Sequence, residues 1–305
     1  WTQSQSTDVP SGQGFAKSMK MDCTTADSSP ASGDILQIRT AFEGQNLQYL
    51  NFGTSSAKSL TLSFWVKSNK TGTYTMVFFH RDASKQFSKS YTISSANTWE
   101  KKTITVVGNT ANGIDNDNAK SFDVWFNLGA GSNFTSGSLS SSWEADADAN
   151  YAVGQVNLAD STSNEWYITG VQLEAGETAS DFEFLPVDVN LQRCQRYFIR
   201  EYDAVEGDYQ LYPGKGQSSD TVRFNFFMSC ILRASPSILQ SGAGWRCFSD
   251  GGAADSSSTA TVLYYKTNTS TVALSVAGFS GLTDNEIYNI TLRGPSGRLD
   301  LDAEL

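Results

Sequence analysis

The run SLTLSFWVKSNKTGTYTMVFF, Ser59 to Phe79, alternates with period two. Leu60, Leu62, Phe64 and Val66 fall on one side; Thr61, Ser63, Trp65 and Lys67 fall on the other. An extended chain sends successive side chains to opposite faces, so the run predicts a strand with one apolar and one polar face. Asn69-Lys70-Thr71-Gly72 then carries turn chemistry, and a second strand-like run follows it.

The same pattern spreads outward. Phe15–Thr24, Asp34–Phe42, Ser88–Ser94, Thr98–Val107, Ser121–Gly129 and Asn164–Gly176 all read as strands. Clusters of Gly, Asn, Asp and Ser separate them, which predicts an all-β fold built as an antiparallel β-sandwich. Gly44–Leu50 reads as one helical turn. Past Pro186 the pattern changes. The stretch VDVNLQRCQRYF, Val187–Phe198, makes about three turns of helix, with Val189, Leu191, Cys194 and Phe198 near one face. Runs at Thr221–Leu232, Ala260–Thr267, Thr271–Phe279, Glu286–Gly294 and Arg298–Leu305 then read as strands, and Gly242–Ser258 as a loop. The chain therefore divides into a sandwich over 1–186, a helical joint over 187–198 and a smaller β-domain over 199–305. The joint's apolar side needs a partner, either a domain of its own chain or the same helix of neighbouring copies.

Composition narrows the function classes. The 22 Lys and Arg against 32 Asp and Glu give a net charge of −10, with neither half basic. That argues against nucleic acid or anionic lipid as a partner, since both need clustered positive charge. No apolar run reaches membrane-spanning length, so no membrane insertion by a helix is expected. Cys23, Cys194, Cys230 and Cys247 lie far apart with no C-x-x-C pair, which suits reduced thiols and a cytoplasmic site of synthesis. The chain opens at Trp1 with neither Met nor a leader-like segment, as in a processed protein or a fragment.

Catalytic signatures are missing. The single histidine, His80, ends an apolar run and reads as a packing residue. No nucleophile elbow or phosphate-binding loop is present, and nothing selects a catalytic carboxylate pair among the 32 acids. Two features have binding chemistry. Alternation places Trp65, Trp125 and Trp166 on the polar faces of three strands, with Asp123 and Asn127 beside Trp125, and Gln172 beside Trp166. Flat rings among hydrogen-bonding side chains suit a saccharide, which stacks through C–H faces and bonds through hydroxyls. The same rings equally suit a covered second layer or a subunit interface. Separately, Glu144, Asp146, Asp148 and Asn150 alternate, and if extended they offer a row of oxygens for a structural Ca²⁺; solvated turns are the alternative.

Longer motifs bring a family into view. Glu43–Tyr74 (EGQNLQYLNFGTSSAKSLTLSFWVKSNKTGTY), Tyr91–Val106, Trp125–Gly137, Trp166–Phe184 and Val189–Phe198 follow one another as in a domain of tailed-phage and prophage tail-fibre proteins. LRASPSI (Leu232–Ile238) and the closing RLDLDAEL (Arg298–Leu305) resemble the C-terminal module of those proteins. The resemblance implies a jelly-roll sandwich similar to carbohydrate-binding modules, followed by a smaller β-domain. It also implies a virion fibre protein, a homotrimer held among other virion proteins, and attachment to a host surface polysaccharide without enzymatic activity. In the family a further strand precedes the region matching Gln3–Thr7. A head or neck fibre with a purely structural role is the alternative, and a polysaccharide depolymerase the next.

Overall fold

The chain falls into two compact units, Trp1–Phe184 and Leu185–Leu305. The computed structural model describes residues 1–202, 212–241, 245–249, 255–257, 261–267, 269–292 and 298–304. In the first unit the strands are β1 (Thr2–Ser6), β2 (Ser18–Asp22), β3 (Ile35–Glu43), β4 (Leu60–Ser68), β5 (Gly72–His80), β6 (Lys85–Ile93), β7 (Glu100–Val106), β8 (Lys120–Ala130), β9 (Glu144–Ala145) and β10 (Glu165–Ala175). One helical turn, α1 (Ser132–Thr135), follows β8.

These strands form two antiparallel sheets, β1-β2-β10-β4-β7 and β3-β8-β5-β6-β9. The opening run of the sequence is not a hairpin. Its turn at Asn69–Thr71 carries the chain from the first sheet to the second, so β4 and β5 face each other across the core. The chain changes sheets at its other connections too, except at β1–β2, β5–β6 and β8–β9, and the orders β2-β10-β4-β7 and β3-β8-β5-β6 are those of a jelly roll. The alternation explains the packing directly: Leu60, Leu62, Phe64 and Val66 meet Tyr74, Met76, Phe78, Phe122, Val124 and Phe126 in one apolar core. Two short 3₁₀ turns, Gly44–Asn46 and Gln48–Leu50, stand where one helical turn was expected.

Alternation fails in β10, and the failure matters. In β10 the pairing with β4 runs in step from Trp166–Ser68 to Thr169–Trp65, then resumes one residue out of step at Gln172–Ser63. Gly170 supplies the left-handed turn of this bulge, with φ of 59°. Trp166 and Ile168 therefore face the core, as do Leu173 and Ala175 beyond the bulge. The expectation that Trp166 shares a face with Gln172 is corrected by that one inserted residue.

His80 is fully buried beside the Phe52 ring (5.7 Å) and accepts at Nδ1 from Asn109 Nδ2 at 3.2 Å. Burial pushes its pKa below the usual 6.5, against the opposing pull of Asp82, the Gly113 carbonyl and Asp115. A base with a depressed folded pKa leaves the unfolded state binding more protons, so its stabilisation holds above pH 6.5 and is lost as pH falls through the folded value. Thermal melts from pH 7 to pH 5 are expected to show a falling Tm. His80→Gln should remove that part of the slope; an identical slope in the variant would assign it elsewhere.

The second unit begins with α2 (Val187–Gln195). Its strands are β11 (Phe198–Tyr202), β12 (Tyr212–Gly216), β13 (Thr221–Phe227), β14 (Ser237–Ser241), β15 (Trp245–Phe248), β16 (Asp255–Ser257), β17 (Thr261–Thr267), β18 (Thr271–Ala277), β19 (Ile287–Leu292) and β20 (Arg298–Asp302). Among the described residues they form a three-stranded sheet, β11-β20-β14, and a seven-stranded one, β16-β15-β19-β12-β13-β18-β17, all antiparallel. Ile199, Leu299 and Leu301 of the smaller sheet share a core with Val222, Phe224, Trp245 and Leu274 of the larger. This is a second β-sandwich, and the whole fold is all-β apart from short helices. Arg200 and Asp300 face each other across β11 and β20 with two bonds of 2.7 and 2.9 Å, and this fork holds the Asp300 carboxyl below its usual range.

Two expectations for this unit need correction. The helix stops at Gln195, and Phe198 already belongs to β11, so the joint is shorter than 187–198. Within the expected loop Gly242–Ser258, Trp245–Phe248 alternates buried and half-buried as β15 and pairs with β19. Residues 242–244, 250–254 and 258 of that stretch lie outside the described residues.

Candidate functional site

Of the three tryptophans proposed from alternation, Trp166 is fully buried in the core and Trp125 is 2% exposed. Trp65 alone is half-buried at a surface cleft. They do not share one face. Trp65 lies on the outer face of the first sheet, Trp125 on the outer face of the second, and Trp166 between the sheets.

The Trp65 cleft is built by two loop segments folding over β4. Residues 8–17 cross on one side. Asp8 latches that segment, accepting from Lys67 Nζ and, at 2.8 Å, from Trp99 Nε1. Burial alone would raise the Asp8 carboxyl, but those two bonds outweigh it and hold it low. The segment 177–184 crosses on the other side. Gln172, proposed above as a ligand contact, instead pins this strap: its Oε1 accepts Glu183 N at 2.8 Å, and its Nε2 donates to Ser180 Oγ and the Asp181 carbonyl at 2.9 and 3.2 Å. Glu174 adds a bond from Ser180 N at 2.7 Å. Burial would raise the Glu174 carboxyl; the Ser180 and Gln172 bonds and the Lys101 charge overcome that and lower it.

Phe15, Phe182 and Phe184 bring the two segments together as an aromatic cluster, with centroids 4.9 to 5.2 Å apart. Trp65 and Ser63 form the floor, and Lys101, the cross-strand neighbour of Trp65, stands at the rim. The cavity holds about 210 Å³, below the roughly 300–1,000 Å³ of drug-sized sites and enough for one sugar-sized ring. Four polar side chains line it: Gln13, Ser63, Lys101 and Asp181. None of their side-chain polar atoms makes a hydrogen bond or ion pair among the described residues. An aromatic floor with unspent donors and acceptors can stack one ring and bond several hydroxyls.

Gly170 sits behind Phe15. A Cβ there would overlap the Phe15 ring, and φ of 59° disfavours any side chain. Gly170→Ala is expected to cost about 1–2 kcal/mol for the left-handed backbone and to push Phe15 out of the cleft wall. Urea denaturation reads the first effect, and weakened saccharide binding the second.

The outer face of the second sheet is organised differently. Phe79 and Trp125 stack at 4.9 Å with planes 14° apart, and Tyr151 meets Trp125 edge-on. Asp123 and Asn127 do share this face with Trp125, as alternation predicts. Asn127 donates to Thr75 Oγ1 at 3.0 Å and to the Tyr151 carbonyl at 2.8 Å. Asp123 Oδ2 accepts from Arg81 Nε at 2.6 Å and from Trp125 Nε1 at 3.2 Å. Arg39 covers the indole at 4.2 Å. A larger crevice, about 420 Å³, opens between the two sheets beside β3 and β10, but apolar side chains such as Met19, Phe42, Leu62 and Leu173 dominate its lining and leave few groups to orient a polar ligand.

The acidic row does not form a cation cage. Only Glu144–Ala145 is strand, and Asp148–Asn150 is a 3₁₀ turn, so alternation ends before the oxygens can line up. Glu144 Oε1 instead accepts from Gln86, Ser140 and Asn150 at 2.9, 2.7 and 3.0 Å, and Asp146 accepts from the Tyr151 hydroxyl. Burial would raise the Glu144 carboxyl, and those three bonds lower it. Among the described residues no three His, Cys, Asp or Glu side chains gather to hold a metal. The four cysteines are free thiols, and no helix among the described residues is long and apolar enough to cross a membrane.

Phe15, Phe182, Phe184, Lys101, Asp181, Arg39 and Arg81 are site residues that the sequence reading missed. Phe182 and Phe184 alternate in ASDFEFLP, and Arg39 alternates with Gln37 in DILQIRTAF, so their faces were readable. Which segments fold over which sheet was not.

No family model matches the chain. No curated protein matches it. Among solved structures it is similar to the enzymatically active domain of bacteriophage CBA120 tailspike protein 4, at 14% identity and a TM-score of 0.31. That alignment covers 57% of this chain and 18% of the tailspike chain, so the protein spans less than a fifth of that relative's length. It is also similar to the tandem CBM22 domains of Paenibacillus barcinonensis Xyn10C, at 10% identity, a TM-score of 0.26 and coverage of 99% and 89%. Discoidin II of Dictyostelium discoideum follows at 9% identity, a TM-score of 0.20 and coverage of 98% and 86%. At these TM-scores the likenesses decide nothing about ligand or role, and the functional reading rests on the residues themselves.

Proposed function

We propose that the protein is a non-enzymatic fibre component of a phage virion that attaches to a host-surface polysaccharide through the Trp65 cleft. The carrying observation is the cleft itself: an accessible indole floor, three phenylalanine rings and four polar side chains with unspent hydrogen-bonding capacity. The motif order from Glu43 to Phe198 supports the virion setting. The free thiols support assembly in a reducing host cytoplasm. Asp181 is the single carboxylate lining the cleft, whereas glycoside hydrolysis uses a pair, which supports binding without turnover. Assembly as a homotrimer with other virion proteins is supported by α2, whose Val187, Val189 and Leu191 are exposed.

Adsorption of the purified protein to host cells, and to their isolated surface polysaccharide, tests the reading. Saturable binding without release of reducing ends is expected. Absence of binding to any cell-surface saccharide would sink it, and reducing-end release would move the protein to the depolymerases. A purely structural role is favoured by one observation, the burial of Trp125 and Trp166. It predicts that Trp65 too is covered in the assembled particle.

A further inference from the structure

We propose a second binding site, on the outer face of the β3-β8-β5 sheet, that takes the carboxylate and an adjoining hydroxyl of an acidic saccharide. It is separate from the Trp65 cleft and does not depend on that reading. Two guanidinium groups lie over one aromatic platform there. Arg39 sits 4.2 Å above Trp125; Arg81 sits 4.4 Å above Phe79 and 5.3 Å from Trp125. In a chain of net charge −10, two like charges gathered over one stacked pair oppose each other unless an anion joins them.

Their partners are unequal. Arg81 is committed: Nε and Nη2 reach Asp123 Oδ2 at 2.6 and 2.5 Å. Arg39 is exposed and pairs with no carboxylate; its Nε and Nη2 donate to Gln37 Oε1 at 2.8 and 2.5 Å. Gln37 is itself held by Asn127 Oδ1 at 2.7 Å. Arg81 and Asp123 offset each other, which leaves the Arg39 guanidinium without a carboxylate partner, and its planar fork matches one.

A second observation points to a ligand. Asp123 is 1% exposed, and its Oδ2 receives Arg81 and Trp125 together, yet its Oδ1 is buried with no hydrogen-bond partner. A buried carboxylate oxygen without a donor is costly. Arg39 covers the indole and is tethered only through Gln37, so it can lift from the ring. A saccharide ring then takes its place on Trp125, offers a hydroxyl to Asp123 Oδ1, and presents its carboxylate to the Arg39 guanidinium. The ligand class follows from that donor set: a stacking ring, a hydroxyl donor and an anion, as in uronic or sialic acid residues.

Calorimetric titration of the full chain with oligogalacturonate, its methyl ester and sialyllactose tests this. At least one acidic probe is expected to bind, with its neutral counterpart more than tenfold weaker and the affinity falling with salt. Arg39→Gln, verified as folded by circular dichroism, should weaken acid binding at least tenfold, and Trp65→Ala should leave it unchanged. No acidic probe binding at millimolar concentration would overturn the proposal. So would equal binding of acid and ester, or unchanged affinity in Arg39→Gln. Loss in Trp65→Ala alone would place acid binding in the other cleft and overturn it equally.

Discussion

Trp166→Ala is expected to destabilise the first unit by about 3–5 kcal/mol, the largest effect of any tryptophan substitution in that unit. The indole is fully buried between the sheets, 6.0 Å from the Phe126 ring and in one core with Leu62, Phe64 and Ile168. Its side chain removes on the order of 200 Å² from water, worth roughly 5 kcal/mol at the usual area coefficient. Truncation leaves a cavity that strands on both sides can close only in part. For a unit of this size each kcal/mol moves Tm by about 2–4 °C, so the melting transition should fall by on the order of 10 °C. Differential scanning calorimetry reads this directly. A shift of a degree or less would mean that Trp166 is not the core residue that the β10 bulge makes it.

Trp65→Ala is expected to do the reverse. Its ring floors the cleft from the outer face of the sheet and is only half-buried, so stability should change by about 1 kcal/mol. Binding should change far more. Aromatic anchors at the centre of an interface commonly contribute 2 kcal/mol or more, which corresponds to about a 30-fold loss of affinity. Titration of wild type and variant with the same surface saccharide separates the two readings of this ring. A 30-fold loss with an intact melting curve supports a binding ring. Unchanged affinity would assign Trp65 to the structural reading and remove the cleft from attachment.

The contrast between these two tryptophans shows how far the sequence could be read. Alternation placed Leu60, Leu62, Phe64 and Val66 in the core correctly, because β4 is regular for nine residues. It placed Asp123, Trp125 and Asn127 on one face for the same reason. It failed at Trp166, because the bulge at Gly170 and Val171 adds one residue to β10 and reverses every side chain between its two halves. The glycine was visible in the sequence, but a glycine inside a strand does not announce which side gains the residue. The acidic row from Glu144 failed by a similar route: a 3₁₀ turn replaced the extension on which the pattern depended.

The candidate site was legible in its floor and not in its walls. Trp65 follows from local pattern. Phe15 lies 50 positions earlier and Phe182 more than a hundred later, and only tertiary folding brings them over β4. Gln172 shows the same limit in reverse. Alternation set it beside Trp166 as a ligand contact, but its hydrogen bonds go to Ser180, Asp181 and Glu183, so it holds a wall and not a ligand. Arg39 and Arg81, the latter just past the end of β5, come over Trp125 through the register of β3 and β5 against β8, which alternation does not specify.

Oxidative footprinting of the indoles, mapped by mass spectrometry with and without a saturating surface saccharide, tests the central claim most directly. Trp65 is expected to oxidise in the free protein and to be protected when saccharide is bound, while buried Trp166 and Trp245 stay unreactive in both states. Equal oxidation of Trp65 with and without saturating saccharide would contradict the account.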